Sequence, residues 1–306
     1  MESNPEGLLA ARLIELAPGQ AGGVIHVART DARAGRLAAA ARALGAGVEV
    51  IWMPGWDCLP YDRVSPSAAV MGARMQARAA LDAPGPRLVL ASVAGAGQRL
   101  PPAMPALDLR IGDVLTREAL AALGYAEDDV VDGPGDCAWR DGRVDAWPAL
   151  PEAEPHRIEL DAEGHITAMR VFDPASQRSL RDADAITLPP AAEKLTDLAS
   201  LFDLLPEATL VLEPEVADLR AQAVTEVADA FRLRLASGEG EPDAPPLLEP
   251  TALYLDAAAW KAALRGRAVT QLAEAEDEAE PFGFLEEDDP EAAFLHSVEA
   301  ARAVGR

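Results

Sequence analysis

The chain has 306 residues, with 49% apolar side chains, 25% charged side chains and a formal net charge of −24. These values are typical of a globular protein with room for about two domains. Such an excess of acid argues against free nucleic acid or an anionic membrane as a partner, because those surfaces attract clustered cations. No apolar run is long enough for a spanning helix and the first residues lack a signal-peptide pattern, so we expect a cytoplasmic protein.

The first 103 residues alternate apolar strands with helices. Apolar runs predict three strands, at 24–27, 48–53 and 87–93. Thr30 or Asp31 can cap a helix that ends near Gly45, and composition favours another helix over 68–82. Strands that alternate with helices indicate βαβ units and a parallel sheet.

Residues 104–190, called the middle module here, have a different texture and carry 8 basic and 18 acidic side chains. A helix is predicted over Thr116–Leu123, with Thr116 as its N-cap. Short alternating segments follow at Asp129–Val131, Cys137–Arg140, Arg143–Trp147, His156–Leu160 and His165–Phe172. The Asp141-Gly142 pair between two of them is a strong hairpin signal. The pattern predicts a small antiparallel α+β domain.

Residues 191–275 return to the first pattern. Strands are predicted at Thr209–Leu212, Ala252–Leu255 and Val269–Leu272, with helices over Pro214–Ala236 and after Asp256. The simplest topology is one α/β domain built from 1–103 and 191–275, with the middle module inserted. Residues 276–306 form an acidic tail that we expect to stay solvated.

Three motifs resemble a known family in their order and spacing. They are GWDCLPYDRVSPS at 55–67, GPGDCAWRDG at 133–142 and FDPASQRSL at 172–180. Together they resemble the N-terminal, UvrB-like region of the bacterial transcription-repair coupling factor family (Mfd), over about residues 20–275. The resemblance implies a helicase-like domain 1a (1–103), a domain 2 (104–190) and a domain 1b (191–275). In that family domain 2 recruits UvrA, the ATPase of nucleotide excision repair, whereas RNA polymerase binding and DNA translocation belong to later domains.

The resemblance also implies which residues bind UvrA. Arg140 and Arg157 match positions that contribute to that surface in the family. An arginine suits the role, because its planar guanidinium pairs well with carboxylates. Leu160 and Asp161 occupy positions where the family often has aromatic residues. Asp161 puts a charge where the family has an apolar anchor, so the contact is weakened, altered or lost there.

An enzyme is not expected. A phosphate-binding loop needs G-x-x-x-x-G-K-[ST], and neither Lys194 nor Lys261 follows a glycine loop. No acidic run ends an apolar strand as a Walker B motif would, and no G-x-S-x-G elbow occurs. Cys58 and Cys137 are far apart and the histidines lack metal spacing, so neither a metal nor a cofactor is expected.

Two alternatives remain beside a UvrA-docking module. One is a structural or regulatory paralogue that has lost UvrA binding, which the Leu160-Asp161 departure favours. The other is a fragment of an ATP-dependent DNA translocase, which the missing nucleotide motifs and the net acidity disfavour.

Overall fold

The computed structural model describes residues 6–45, 47–62, 64–237 and 247–271. The helices in these ranges are α1 (Glu6–Leu16), α2 (Asp31–Leu44), α3 (Ala68–Ala80), α4 (Val93–Gly97), α5 (Arg117–Ala122), α6 (Leu201–Leu204), α7 (Val216–Ser237), α8 (Pro250–Leu253) and α9 (Ala257–Leu264). The strands are β1 (Val24–Ala28), β2 (Glu49–Met53), β3 (Arg87–Ser92), β4 (Leu107–Arg110), β5 (Ala126–Glu127), β6 (Asp136–Arg140), β7 (Arg143–Ala146), β8 (His156–Leu160), β9 (Ile166–Phe172), β10 (Ser179–Asp182), β11 (Ala185–Leu188), β12 (Thr209–Leu212) and β13 (Val269–Gln271). None of the described helices is long and apolar enough to cross a membrane.

A five-stranded sheet joins the first and last parts of the chain. Its order is β13-β12-β1-β3-β2, and every neighbouring pair is parallel. Strand β1 is central and fully buried, as expected for a parallel sheet covered on both faces. The predicted α/β fold class is therefore confirmed, with strands from before and after the middle module in one sheet.

Side-chain caps fix where the helices that cover this sheet begin. The Thr30 side chain accepts a hydrogen bond from the Arg33 amide at 3.3 Å, and α2 ends at Gly45, which has φ +59°. These are the cap and the stop that the sequence predicts. Asp256 caps α9 in the same way, accepting from the Ala259 amide at 2.7 Å.

The middle module contains a second sheet and a ribbon. Its six strands run in the order β10-β9-β8-β7-β6-β5 and are antiparallel except for the β5–β6 pair. Strands β4 and β11 form a separate antiparallel ribbon that links the module to the α/β part. The Asp141-Gly142 turn joins β6 to β7, as the hairpin signal predicts.

Close backbone packing holds the module against α3, and a buried ion pair holds the chain segment that follows the module. A Cβ added to Gly72 would lie 1.7 Å from the Ala149 carbonyl oxygen, so no side chain fits there. The buried Arg74 Nε donates to Glu193 Oε1 at 2.5 Å, and the Trp56 indole donates to Glu193 Oε2 at 3.2 Å. These contacts hold Glu193, in the segment that follows the module, in one position.

Some predicted elements are wrong. Ala252–Leu255 was expected as a strand, but Pro250 starts the short helix α8 there, since proline suits the first turn of a helix. Asp129–Val131 forms no strand; the strand before β6 lies at Ala126–Glu127. Helix α1 is absent from the predictions. The predicted acidic tail, 276–306, lies outside the described residues.

Candidate functional site

The six-stranded sheet has an apolar face and a charged face. Alternate residues such as Val144, Ile158 and Met169 point into the module core. The opposite face carries Arg140, Arg143, Asp145, Arg157, Glu159 and Arg170, and we call it the arginine face. The register aligns Asp145 with Arg157 and Arg157 with Arg170 in one row across the strands. Arg140, Arg143 and Glu159 form the next row.

Arg157 is clamped within this face. Its Nε and Nη2 donate to the two Asp145 carboxylate oxygens, both at 2.9 Å. The guanidinium also stacks over the Phe172 ring at 4.8 Å from the centroid. Hydrogen bonding to the buried Asp145 raises the pKa of Arg157 above its ordinary value. Only 14% of the Arg157 side chain is exposed, so the main role of this guanidinium is to stabilise the module.

The turn between β9 and β10 completes the clamp. Gln177 has φ +60°, a left-handed conformation that is uncommon outside glycine. Its backbone carbonyl accepts from Arg157 Nη1 at 3.0 Å, and its side-chain Oε1 accepts from Nη2 at 3.3 Å. Four of the five N–H donors of Arg157 are thereby used within the module.

Arg140 and Arg143 lie directly opposite each other, on either side of the Asp141-Gly142 turn. Arg140 is exposed, and its Nη2 donates to the Asp129 carbonyl oxygen at 2.8 Å. Arg143 Nε lies 3.5 Å from Asp145 Oδ1. That nitrogen is buried and makes no hydrogen bond. These two guanidinium groups are the least compensated on the arginine face.

Arg170 is fully paired, in contrast. Its Nη1 donates to Glu159 at 2.5 Å and its Nε donates to Asp182 at 3.2 Å. Both contacts are partly exposed, so solvent screens them and they add little to stability. Arg170 therefore neutralises the Glu159 carboxylate without burying it.

Asp161 organises the turn between β8 and β9. Its Oδ1 accepts from the Glu163 amide at 3.0 Å and from the His165 amide at 2.8 Å. The backbone hydrogen bond from His165 lowers the pKa of Asp161 below its ordinary value. The carboxylate is exposed, so in this chain it is not a buried charge. Leu160, its neighbour, packs against the module core rather than the arginine face.

One group of side chains in the described ranges has the geometry for a cation. Asp161, Glu163 and His165 each offer one ligand atom within 4.8 Å of the others. All three are exposed, and Asp161 already accepts backbone hydrogen bonds. The arrangement is that of a solvated turn.

Sequence reasoning missed four residues of this face: Arg143, Asp145, Glu159 and Arg170. Arg143 could have been found, because a two-residue hairpin necessarily places it opposite Arg140. Asp145 could have been assigned to the same face as Arg143 from strand alternation. The FDPASQRSL motif favours a turn at Gln177, but nothing in the sequence predicts its contact with Arg157, 20 residues away.

Comparison with known families identifies the middle module. The family described as the UvrB interaction domain matches residues 107–193, which include every strand from β4 to β11. This match covers the whole arginine face.

Known proteins are similar over a wider stretch. The transcription-repair-coupling factor of Mycobacterium tuberculosis is 34% identical over 194 residues, 58% of this chain and 15% of that protein. The Escherichia coli K12 protein of the same name is 32% identical over 154 residues, 48% of this chain and 13% of that protein. The Myxococcus xanthus one is 34% identical over 155 residues, with the same two shares. The matches thus span about a seventh of each relative's length. The chain is homologous to the N-terminal part of these factors and contains a UvrB interaction domain.

Proposed function

We propose, from the premise that this chain contains a UvrB interaction domain and is homologous to the N-terminal part of transcription-repair-coupling factors, that it docks UvrA in transcription-coupled repair. The observation that carries the proposal is the coincidence of two features in residues 107–193: the family match and the arginine face. A protein-docking role needs such a face, because arginines are enriched where interfaces gain most of their binding energy.

Arg140 is the direct contact in this proposal. Its side chain is exposed and its hydrogen bond within the chain goes to a neutral carbonyl, so most of its donors are available to a partner. Arg157 supports binding differently, by fixing the β9–β10 turn and neutralising Asp145. Asp161 holds the β8–β9 turn, at the same end of the sheet as Arg140.

The role is non-catalytic in this proposal. The sequence contains no G-x-x-x-x-G-K-[ST] segment to cradle a nucleotide's phosphates. Lys194 and Lys261 are both exposed, and neither is preceded by a glycine loop. A cytoplasmic partner that already carries its own ATPase, as UvrA does, requires only a surface from this chain.

A calorimetric titration of the whole chain against purified UvrA at physiological salt tests the proposal. We expect saturable binding, and a loss of affinity of about tenfold for Arg140→Ala, about 1.4 kcal/mol. Arg232→Ala is the matched control, since Arg232 is an exposed arginine on α7, outside the middle module. Near-ultraviolet circular dichroism checks that each variant is folded.

Two results contradict the proposal. Absence of binding by the folded wild-type chain leaves the structural or regulatory paralogue as the better interpretation. Equal losses for Arg140→Ala and Arg232→Ala mean that binding is a general charge effect rather than docking on the arginine face. Saturable ATP hydrolysis by the chain would instead favour the translocase interpretation.

A further inference from the structure

We propose that Arg140 and Arg143 together form a two-guanidinium site that binds one carboxylate of the docked protein. This deepens the proposed function and rests on it. We call the two residues the hairpin arginine pair. Only Asp141 and Gly142 separate them along the chain, and they are register partners across β6 and β7. Both therefore project from the same face of the sheet at the same end of the hairpin.

The pair is unfavourable for the isolated chain. Like charges directly opposite each other on neighbouring strands repel and destabilise the pairing. A hairpin usually places opposite charges, or no charges, at such positions. In this chain the repulsion is retained although acidic residues outnumber basic ones by 51 to 27. Basic residues are the minority in this chain, so two of them placed opposite each other indicate a role in binding rather than in stabilising the fold.

Nearby carboxylates neutralise the pair only in part, because other arginines hold them more closely. Asp145 gives both of its oxygens to Arg157, at 2.9 Å each. It approaches Arg143 Nε only at 3.5 Å, without a hydrogen bond. Glu159, the β8 register partner of Arg143, is bound by Arg170 at 2.5 Å. Among the described residues, no ion pair joins Asp141 to either member of the pair.

Unused donors on the two guanidinium groups point to an acceptor from outside. The Arg143 guanidinium makes no hydrogen bond to any described residue, and its Nε–H is buried, so the nitrogens at its exposed end are the donors that a partner can contact. The Arg143 side chain is 34% exposed, so a partner can reach it. Arg140 uses one N–H donor for a hydrogen bond to the Asp129 backbone carbonyl. A carboxylate placed between the two groups would receive donors from both and remove their repulsion.

The charge of the chain favours a carboxylate on a protein over the phosphates of a nucleic acid. With a net charge of −24, the chain repels a polyanion at long range. A single acidic side chain on a protein surface brings one charge to a local cationic site, and the remainder of that surface can be neutral or basic. A protein carboxylate is therefore the ligand that this pair fits.

The experiment is a double-mutant cycle on UvrA affinity with the whole chain. We expect Arg140→Gln and Arg143→Gln each to weaken binding about tenfold. The double variant should weaken it by far less than the hundredfold product, since both residues share one carboxylate. Arg181→Gln is the matched control, an exposed arginine on β10 paired with Glu154, and should bind as the wild type does.

Failure of the pair and failure of UvrA docking give different results. If Arg143→Gln binds like the wild type while Arg140→Gln does not, the pair is wrong and the proposed function stands. If the double variant loses affinity by the full product of the two single losses, the pair is again wrong and the proposed function stands. If the wild-type chain does not bind UvrA at all, the proposed function fails, and the pair is then judged with a small probe.

That probe is a tetraglutamate peptide, followed by ¹⁵N NMR of the arginine side chains. The Arg143 Nε–Hε signal is identified by its disappearance in Arg143→Gln. We expect it to shift saturably with the peptide in the wild type, and the Arg140→Gln variant to abolish saturation. No shift overturns the proposal. A stronger shift with a single-stranded oligonucleotide of equal charge also overturns it, because the site would then prefer phosphate.

Discussion

Glu213, which follows β12, and Asp145, in β7, are both buried carboxylates held by arginine, yet their surroundings differ. Glu213 accepts from Arg33 Nε at 2.5 Å and from the Arg29 amide at 3.1 Å, and lies 3.3 Å from the His26 ring. The Arg29 guanidinium lies near two carboxylates, 3.6 Å from Glu213 and 3.5 Å from Glu215. Asp145 satisfies Arg157 and leaves Arg143 at 3.5 Å without a hydrogen bond. A buried cluster with matched charges stabilises the fold, whereas one with a surplus cation beside a surface indicates a binding site.

The largest expected effect comes from removing the charge of Glu213. Glu213→Gln removes the nearer counter-charge of the Arg33 guanidinium, which is only 9% exposed and then keeps Glu6 alone, at 3.6 Å. We expect the free energy of unfolding to fall by about 4 kcal/mol in urea titrations. Glu215→Gln, next to it but 43% exposed, should change stability by less than about 0.5 kcal/mol. Equal effects for the two variants would contradict a structural role for the Glu213 cluster.

Acid should weaken the same cluster in the wild type. Burial alone would raise the pKa of Glu213, but hydrogen bonds from His26, Arg33 and the Arg29 amide lower it to about 2. Because the folded-state pKa is below the ordinary value of 4.5, the stabilisation is complete above that pH and is lost as the pH falls towards 2. The loss is about 3 to 4 kcal/mol, at about 1.4 kcal/mol per pKa unit.

Urea titrations from pH 7 to pH 2.5 measure this loss. The stability difference between the wild type and Glu213→Gln should narrow across that range, since glutamine mimics the protonated side chain. A difference that stays constant down to pH 2.5 would mean that Glu213 is not the group being titrated.

A smaller loss of stability is expected for Asp145→Asn. The substitution removes the carboxylate from Arg157, whose side chain is 14% exposed and keeps its contacts with Gln177 and Phe172. We expect a loss of about 2 kcal/mol in thermal or urea unfolding. The control is Asp182→Asn, because Asp182 pairs with Arg170 but is 89% exposed. A loss for Asp145→Asn as large as that for Glu213→Gln would erase the distinction between the clusters.

The smallest effect is expected at the β8–β9 turn. Asp161→Ala removes the acceptor of the Glu163 and His165 amides, so these two amides should exchange faster with deuterium. The global unfolding midpoint should not change. Glu163→Ala keeps the acceptor and should leave both exchange rates as they are. Protection that persists in Asp161→Ala would show that the backbone alone holds the turn.

The sequence predicted those parts of the fold that depend on local pattern. The strands at Val24–Ala28 and Thr209–Leu212 follow from short apolar runs, and Thr30 from its capping chemistry. Ala252–Leu255 failed because four apolar residues suit either a strand or a helix, and Pro250 decides for the helix. Arg140 and Arg157 lie on one face as the hairpin pattern allows. The clamp on Arg157 required contacts between distant turns, which periodicity does not encode.

The pairing of strands β4 and β11 determines how a module could be exchanged between related proteins. Leu107 lies opposite Leu188, so the points where the chain leaves the α/β sheet and rejoins it are neighbours. Residues paired in this way lie about 5 Å apart, a gap that a short turn can span. The Arg74–Glu193 pair belongs to the side that remains. A module exchanged through these adjacent junctions must still pack against α3, where Gly72 meets the Ala149 carbonyl oxygen.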